Sequence, residues 1–304
     1  MYDLVRVHER ALGAYLGLAL GDALGATVEF MTPREIVHKH GVHTEIVGGG
    51  WLDLPRGAVT DDTEMALALG ASILLKEGFD VYAAADAFVA WLKRGPVDCG
   101  HTCRRGIRRY MLQGSVHAEQ NEGHGGNGAA MRNLPVVLAT LGHPEAMRAH
   151  SIAQAHITHH HPQSDAAVLT LGAMTSALIL GAPLSEVKAL ADALVEEHRA
   201  FAYEDYRGPA SPYIVDTVCT VLRFFFAAHD FESALIPTVN RGDDADTTGA
   251  LVGMLAGARF GRAALPPRWL AALDPDVQTA ISRQTTALLS LSPAYSMEGK
   301  RPSR

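Results

Sequence analysis

Apolar residues return at helical spacing along nearly the whole of this 304-residue chain, and that rhythm restricts its fold more than any other feature. Leu12, Leu16, Ala19 and Ala23 form one such series, and Met65, Leu69 and Ile73 another, each describing an amphipathic or buried helix. The same reading predicts helices over 80–93, 104–113, 130–141, 145–156, 165–180, 185–199, 214–228, 247–260 and 276–290. No hairpin signal or regular strand–turn repeat competes with them, so the fold class expected is all-α. Residues 45–51, with three glycines, and 123–128 read as loops. Without an internal repeat, low-complexity linker or compositional shift, residues 1–304 are expected to form one compact multi-helix domain.

A hydrophobic content of 48% is enough for a substantial core without disulfides. Cys99, Cys103 and Cys219 are an odd number, which points to a reducing setting, and the expected location is cytoplasmic. Residues 1–9 carry charges without an apolar signal core, and no run of about 18 apolar residues offers a membrane span. With 33 acidic against 26 basic residues, the net charge of -7 disfavours general binding to nucleic acid or anionic membranes.

Two acidic clusters each open a helix. In Thr60-Asp61-Asp62-Thr63-Glu64, Thr60 or Asp61 can cap the first turn, and acidic groups there complement the helix dipole. Capping does not account for the second cluster, Asp243-Asp244-Ala245-Asp246-Thr247-Thr248, because three carboxylates within four residues repel one another unless a cation or proton intervenes. A calcium loop starting at Asp244 places Gly249 correctly but puts Leu255 where a bidentate glutamate belongs. Hard carboxylate and hydroxyl oxygens select magnesium or manganese over zinc. If the two helix starts converge, Thr60, Asp61, Asp62, Asp244, Asp246 and Thr247 can hold two divalent cations. Cys99-x-His101-x-Cys103 and His159-His160-His161 lack the spacing of CxxC or HExxH sites and read as reduced cysteines and a polar turn before Pro162.

The clusters, about 180 residues apart in a helical chain, resemble the signature of the ADP-ribosylglycohydrolase family. So do Gly17-Leu18-Ala19-Leu20-Gly21-Asp22-Ala23-Leu24-Gly25-Ala26-Thr27-Val28-Glu29-Phe30 and Gly126-Asn127-Gly128-Ala129-Ala130-Met131-Arg132. The resemblance runs from about residue 10 to 262. Arg94-Gly95-Pro96-Val97-Asp98, Thr102-Cys103-Arg104-Arg105-Gly106-Ile107-Arg108-Arg109 and Ile157-Thr158-His159-His160-His161-Pro162-Gln163-Ser164-Asp165 are similar to a nitrogenase-regulating branch of that family.

The resemblance implies a dinuclear metal cleft with Mn2+ or Mg2+ held by Thr60, Asp61, Asp62, Asp244, Asp246 and Thr247. Relatives commonly have Gly-Gly where this chain has Gly242-Asp243, so Asp243 is expected outside the ligand set. Asp98 matches the residue beside the scissile sugar–guanidine bond, and Glu29 a carboxylate near the ribose. Gly126, Asn127, Gly128 and Arg132 are implied near the diphosphate, where a glycine-rich loop at a helix start seats an anion, and His159 near the nucleotide. The implied reaction is metal-dependent hydrolysis of the N-glycosidic bond between ADP-ribose and protein arginine. The implied substrate is ADP-ribosylated dinitrogenase reductase, with a PII-type signal protein and an ammonium-channel complex as partners and reversible recruitment to the membrane through them. Hydrolysis of serine-linked or free ADP-ribosyl compounds is the alternative within the fold. A non-catalytic binding protein is another, which the complete set of six oxygen ligands disfavours.

Overall fold

The structure is a computed structural model that describes residues 2–296; Met1 and residues 297–304, the ends of the expected domain, lie outside the described residues. The described residues form helices joined by loops, with two isolated backbone bridges and no strand. In chain order the helices are α1 (Leu4–Gly25), α2 (Pro33–His40), α3 (Asp61–Leu75), α4 (Val81–Lys93), α5 (His101–Gln113), α6 (Leu134–Ala139), α7 (Pro144–His156) and α8 (Pro162–Leu180). They continue with α9 (Leu184–Glu197), α10 (Ile214–Ala227), α11 (Phe231–Val239), α12 (Ala245–Phe260), α13 (Pro267–Ala272), α14 (Pro275–Leu291) and α15 (Pro293–Ser296).

α1 and α12 are buried nearly all round and form the centre of the molecule. A helix with no polar face must be surrounded, and α3, α8, α11 and α14 pack on α1 while α3, α8, α10 and α11 pack on α12. The central pair is antiparallel, with Gly13, Gly17, Gly21 and Gly25 facing Gly257, Gly253, Gly249 and Ala245 in turn. A Cβ on any of those seven glycines would come closer than 3.0 Å to backbone of the opposite helix. Recurrence every fourth residue puts the glycines on one stripe of each helix, so the two backbones touch where side chains ordinarily keep helices 8–10 Å apart.

Polar groups inside this core are paired. Tyr15 donates to Gln284 at 2.6 Å, and Gln284 donates to the Leu67 carbonyl at 3.0 Å, linking α1, α14 and α3. Gly70 leaves room for the Gln284 side chain.

The periodic segments fall on α1, α3–α10, α12 and α14. The segment at 130–141 shortens to α6, Leu134–Ala139, because residues 128–132 coil in turns before it. Four helices lie outside the periodic segments: α2, which buries only Ile36; α11, which carries Pro237; the six-residue α13; and the four-residue α15. Loop 45–51 is a loop, with Gly48, Gly49 and Gly50 all at positive φ. α8 is long and apolar enough to cross a membrane by length and composition, and 50% of that window is buried inside the protein.

The glycine contact makes a testable difference between two sites. Gly21→Ala, although alanine favours helices, should lose on the order of 2 kcal/mol because the added methyl meets backbone that cannot rotate away. Gly78, with nothing within 4 Å of a built Cβ, serves as the control, and Gly78→Ala should change stability little. Urea unfolding compares them; equal midpoints would show that the close approach is not what holds the central pair.

Candidate active site and metal centre

The antiparallel register of α1 and α12 brings the last turn of α1 to the first turn of α12, and α3 starts beside both. Asp22, wholly buried in α1, accepts from the Thr60 N–H at 3.0 Å and the Thr60 hydroxyl at 2.9 Å. It also accepts from the Thr63 N–H at 3.1 Å and the Thr63 hydroxyl at 2.5 Å. Thr60 stands at the N-cap of α3 but makes no capping bond with its own side chain. Asp22 satisfies the free N–H groups instead, and leaves the Thr60 hydroxyl between acidic groups, 3.3 Å from Asp62 Oδ2 and 3.4 Å from Asp246 Oδ2. Sequence reading missed Asp22; its signal is a lone carboxylate in the apolar, glycine-spaced stretch 11–25 of α1.

The two clusters meet here. The Thr247 hydroxyl lies 3.3 Å from Asp62 Oδ2, and one carboxylate oxygen each of Glu29, Asp244 and Asp246 lie within 4.8 Å of one another. Glu29, Asp244 and Asp246 border a cleft of about 320 Å³ together with Asp61, Thr247, Asp98, Gly126, Asn127, Gly128 and His159, while Thr60 and Asp62 are fully buried and do not line it. Asp61 accepts from the Gly100 N–H at 3.1 Å, Glu29 from Trp51 Nε1 at 2.6 Å, and Asp244 from Asn127 Nδ2 at 2.5 Å. Half-buried Asp98, on the loop before α5, accepts from the Cys99 N–H at 2.7 Å.

The electrostatics describe a site built for positive charge. Burial, then repulsion among the acids, pushes Asp61 up to about 8. Burial also raises Glu29 to about 8 and Asp244 to about 7, against the Trp51 and Asn127 hydrogen bonds, and holds Asp62 and Asp246 well above the carboxylate range. Asp98 is raised by burial as well. Among the described residues no ion pair offsets this charge. Asp62 Oδ1 is buried without a hydrogen-bond partner. Converging hard oxygens and an orphaned carboxylate oxygen, with no ion pair to them among the described residues, fit a hard divalent cation.

Not every expected residue faces the cleft. Arg132 is corrected: fully buried, its guanidinium donates to the Gln154 side chain at 2.8 Å, the Gln154 carbonyl at 3.0 Å and the Thr158 hydroxyl at 2.8 Å. It also covers the Phe88 ring, so it braces the floor and has no donor turned to a diphosphate. Asn127 spends its side-chain N–H groups on Asp244 and Thr217 and its backbone N–H on Pro212, so it positions a carboxylate. Nor does the glycine segment open a helix, since α6 begins only at Leu134. Its glycines let the loop lie against a neighbour: a Cβ on Gly128 would fall 2.9 Å from His159 Cε1 and 2.8 Å from Cys103 Sγ. His159 lines the cleft, bonded to the Thr158 hydroxyl at 2.8 Å, and burial holds it well below the imidazole range, so it is neutral.

Asp243 points elsewhere. Its carboxylate accepts from the Ala210 N–H at 3.0 Å, and its backbone is left-handed at φ 51°. Its N–H donates to the Met31 carbonyl and its carbonyl accepts from Phe30, which pins the loop carrying Glu29 to the start of α12.

The ADP-ribosylglycohydrolase family profile matches residues 3–296. The chain is 56% identical to the ADP-ribosyl-[dinitrogen reductase] glycohydrolase of Rhodospirillum rubrum over 94% of this chain and 97% of that protein. It is 30% identical to the ADP-ribosylarginine hydrolase Tri1 of Pseudomonas putida (strain GB-1), over 86% of this chain and 73% of the relative. A solved ADP-ribosylglycohydrolase-related protein complex contains a chain that superposes with a TM-score of 0.85 at 34% identity, covering 94% of this chain and 99% of its own. The family profile, these relatives and the convergent acidic clusters lead to one conclusion: the chain belongs to the ADP-ribosylglycohydrolase family.

Proposed function

We propose that this chain, acting as one domain, hydrolyses the N-glycosidic bond between ADP-ribose and a protein arginine, with ADP-ribosylated dinitrogenase reductase as its substrate. The observation that carries the reading is the meeting of both acidic clusters in one cleft whose rim holds Asp98 and Glu29. The 56% identity to a relative named for that reaction supports the substrate. The arginine linkage is supported by the 30% identity to an ADP-ribosylarginine hydrolase.

Thr60, Asp61, Asp62, Asp244, Asp246 and Thr247 are the residues proposed to hold two divalent cations, Mn2+ or Mg2+. Such ions supply Lewis acidity for orienting ribose hydroxyls and for activating water. The protein's own groups do the rest. Glu29, steadied by Trp51, orients the ribose or the attacking water. As the C1–nitrogen bond of the sugar breaks and a carbon–oxygen bond to water forms, positive charge spreads over the anomeric carbon. The carboxylates of Glu29, Asp61 and Asp98 face that charge, a fixed field requiring no reorganisation. Asp98 exchanges the proton, its carboxyl brought by burial closer to the working range of an acid–base group. Gly126, Gly128 and His159 form the wall on which the nucleotide part lies, with Asn127 acting through Asp244. The proposed setting is cytoplasmic. By the same resemblance, a PII-type signal protein and an ammonium-channel complex are the proposed partners, with reversible recruitment to the membrane through them.

Three outcomes test this reading. Released ADP-ribose from arginine-modified dinitrogenase reductase should far exceed that from a serine-linked substrate; equal or faster release from serine overturns the assignment of linkage. Asp98→Asn should fold and bind normally yet lose roughly 10²–10⁴-fold in turnover, since an amide cannot exchange the proton. Wild-type turnover would remove Asp98 from the chemistry. Asp246→Ala should lose bound manganese and activity, whereas Asp243→Gly should keep most of both, because glycine accepts φ 51° and only the Ala210 hydrogen bond is lost. Manganese bound per folded chain, measured at one metal concentration, decides it; the reverse pattern would mean the ligand register is wrong.

A further inference from the structure

Three histidines outside the proposed chemistry meet beside the segment that carries His159. His117 lies after α5, His156 is the last residue of α7, and His160 follows His159 directly. One ring nitrogen of each lies within 4.8 Å of the others. The His117 ring centroid is 5.0 Å from that of His156 and 4.9 Å from that of His160, and the latter two stack at 3.8 Å. His156 is buried, His160 half-buried and His117 exposed, so the group opens to solvent on one side.

Two of the rings are held in a set orientation. His156 Nε2 lies 2.9 and 3.1 Å from the Asp165 carboxylate oxygens, and His160 Nδ1 lies 2.6 Å from the Ala118 carbonyl. A carbonyl only accepts, so His160 carries its proton on Nδ1. The Asp165 carboxylate likewise accepts the hydrogen bond from His156 Nε2. Each ring is left with its other nitrogen, Nε2 of His160 and Nδ1 of His156, as a lone-pair donor. A carboxylate or carbonyl behind the ring is the arrangement that orients metal-binding histidines. Burial, then its two histidine neighbours and Arg109, keeps His117 below the ordinary imidazole range and hence neutral. Asp165 supplies negative charge behind the group, while Arg109, whose charge opposes a cation, is held on the Ile157 carbonyl at 2.7 Å.

We propose that His117, His156 and His160 form a second metal site, separate from the carboxylate cleft, that takes zinc. Three imidazole nitrogens select a borderline transition metal where the cleft's oxygens select a hard ion. Tetrahedral zinc with ~2.0–2.1 Å bonds draws its ligands to roughly 3.4 Å from one another. Closing on the ion takes a swing of His117, on a non-helical segment, and a turn of the His160 ring out of its stack on His156, and the fourth position is left to water. The segment already runs beside the other two ligands, with the Ala118 N–H on the His156 carbonyl at 2.7 Å and the Asn121 N–H on the His160 carbonyl at 3.2 Å. Zinc therefore clamps 117–121 to the chain on both sides of His159 and steadies the cleft wall without entering the reaction.

The test uses the metal-stripped full chain in excess Mg2+, which occupies the cleft, titrated with Zn2+ by calorimetry. One zinc per chain is expected, with affinity lowered about 10–100-fold in Asp165→Asn, which weakens the orienting partner, and by at least as much in His117→Ala. Cu2+ as a spectroscopic probe should show imidazole-nitrogen coupling in its electron paramagnetic resonance spectrum, lost in the His117→Ala/His160→Ala double variant. His117→Ala alone, at an exposed position, serves if the double variant fails to fold. Zinc that only displaces magnesium from the cleft binds all these variants equally. That result, or the absence of bound zinc in the wild type, overturns the proposal.

Discussion

The backbone contact between α1 and α12 is the constraint on which the rest of the structure depends. Without side chains on the shared stripe, the helices approach until a carbonyl of one lies where a Cβ of the other would be. That contact has one register, because sliding by a residue turns glycines away and side chains inward. It sets the end of α1 against the beginning of α12, and so places Asp22 and Asp246 together beside the start of α3. A looser pair held by larger side chains would bury comparable apolar area and leave the acids free to move apart.

Holding them together is costly. A buried, unpaired carboxylate disfavours folding by several kcal/mol of desolvation, and the raised proton affinities of Asp61, Asp62, Asp244 and Asp246 express that cost. Neutral donors offset part of it: Gly100, Asn127, Trp51 and the Thr247 hydroxyl each give a hydrogen bond to an acid. None brings a full positive charge, and the set of hard oxygens fits a metal ion. Asp22 differs from the others in receiving four donors from Thr60 and Thr63, so it acts as the fixed post from which the first turn of α3 hangs.

The far wall follows a similar economy of space. Gly126 and Gly128 allow the loop to lie against His159, while Arg132, Gln154 and Thr158 lock together beneath it. An arginine read as a ligand contact is thus a strut, and an asparagine read the same way is the holder of Asp244. Arg132 is buried away from the cleft lining, whereas Asn127 lines the cleft while it holds Asp244.

The sequence by itself determined the all-α class, most helices to within a few residues, both acidic clusters and the loops near them. These follow from local physics: apolar periodicity reports which face of a helix is buried, and crowded like charges report a missing counter-charge wherever they sit. Tertiary structure alone decided that Asp22 caps α3 in place of Thr60, that Arg132 turns inward, that Asn127 serves Asp244 and that His117 meets His156 and His160. Each depends on which donor lies within about 3 Å across tens or hundreds of residues. That distance is set by the register of the central helices and the turn at 128–132, and neither has a local signature. Periodicity says that a helix is buried; only its packed neighbours settle what each polar atom on it meets.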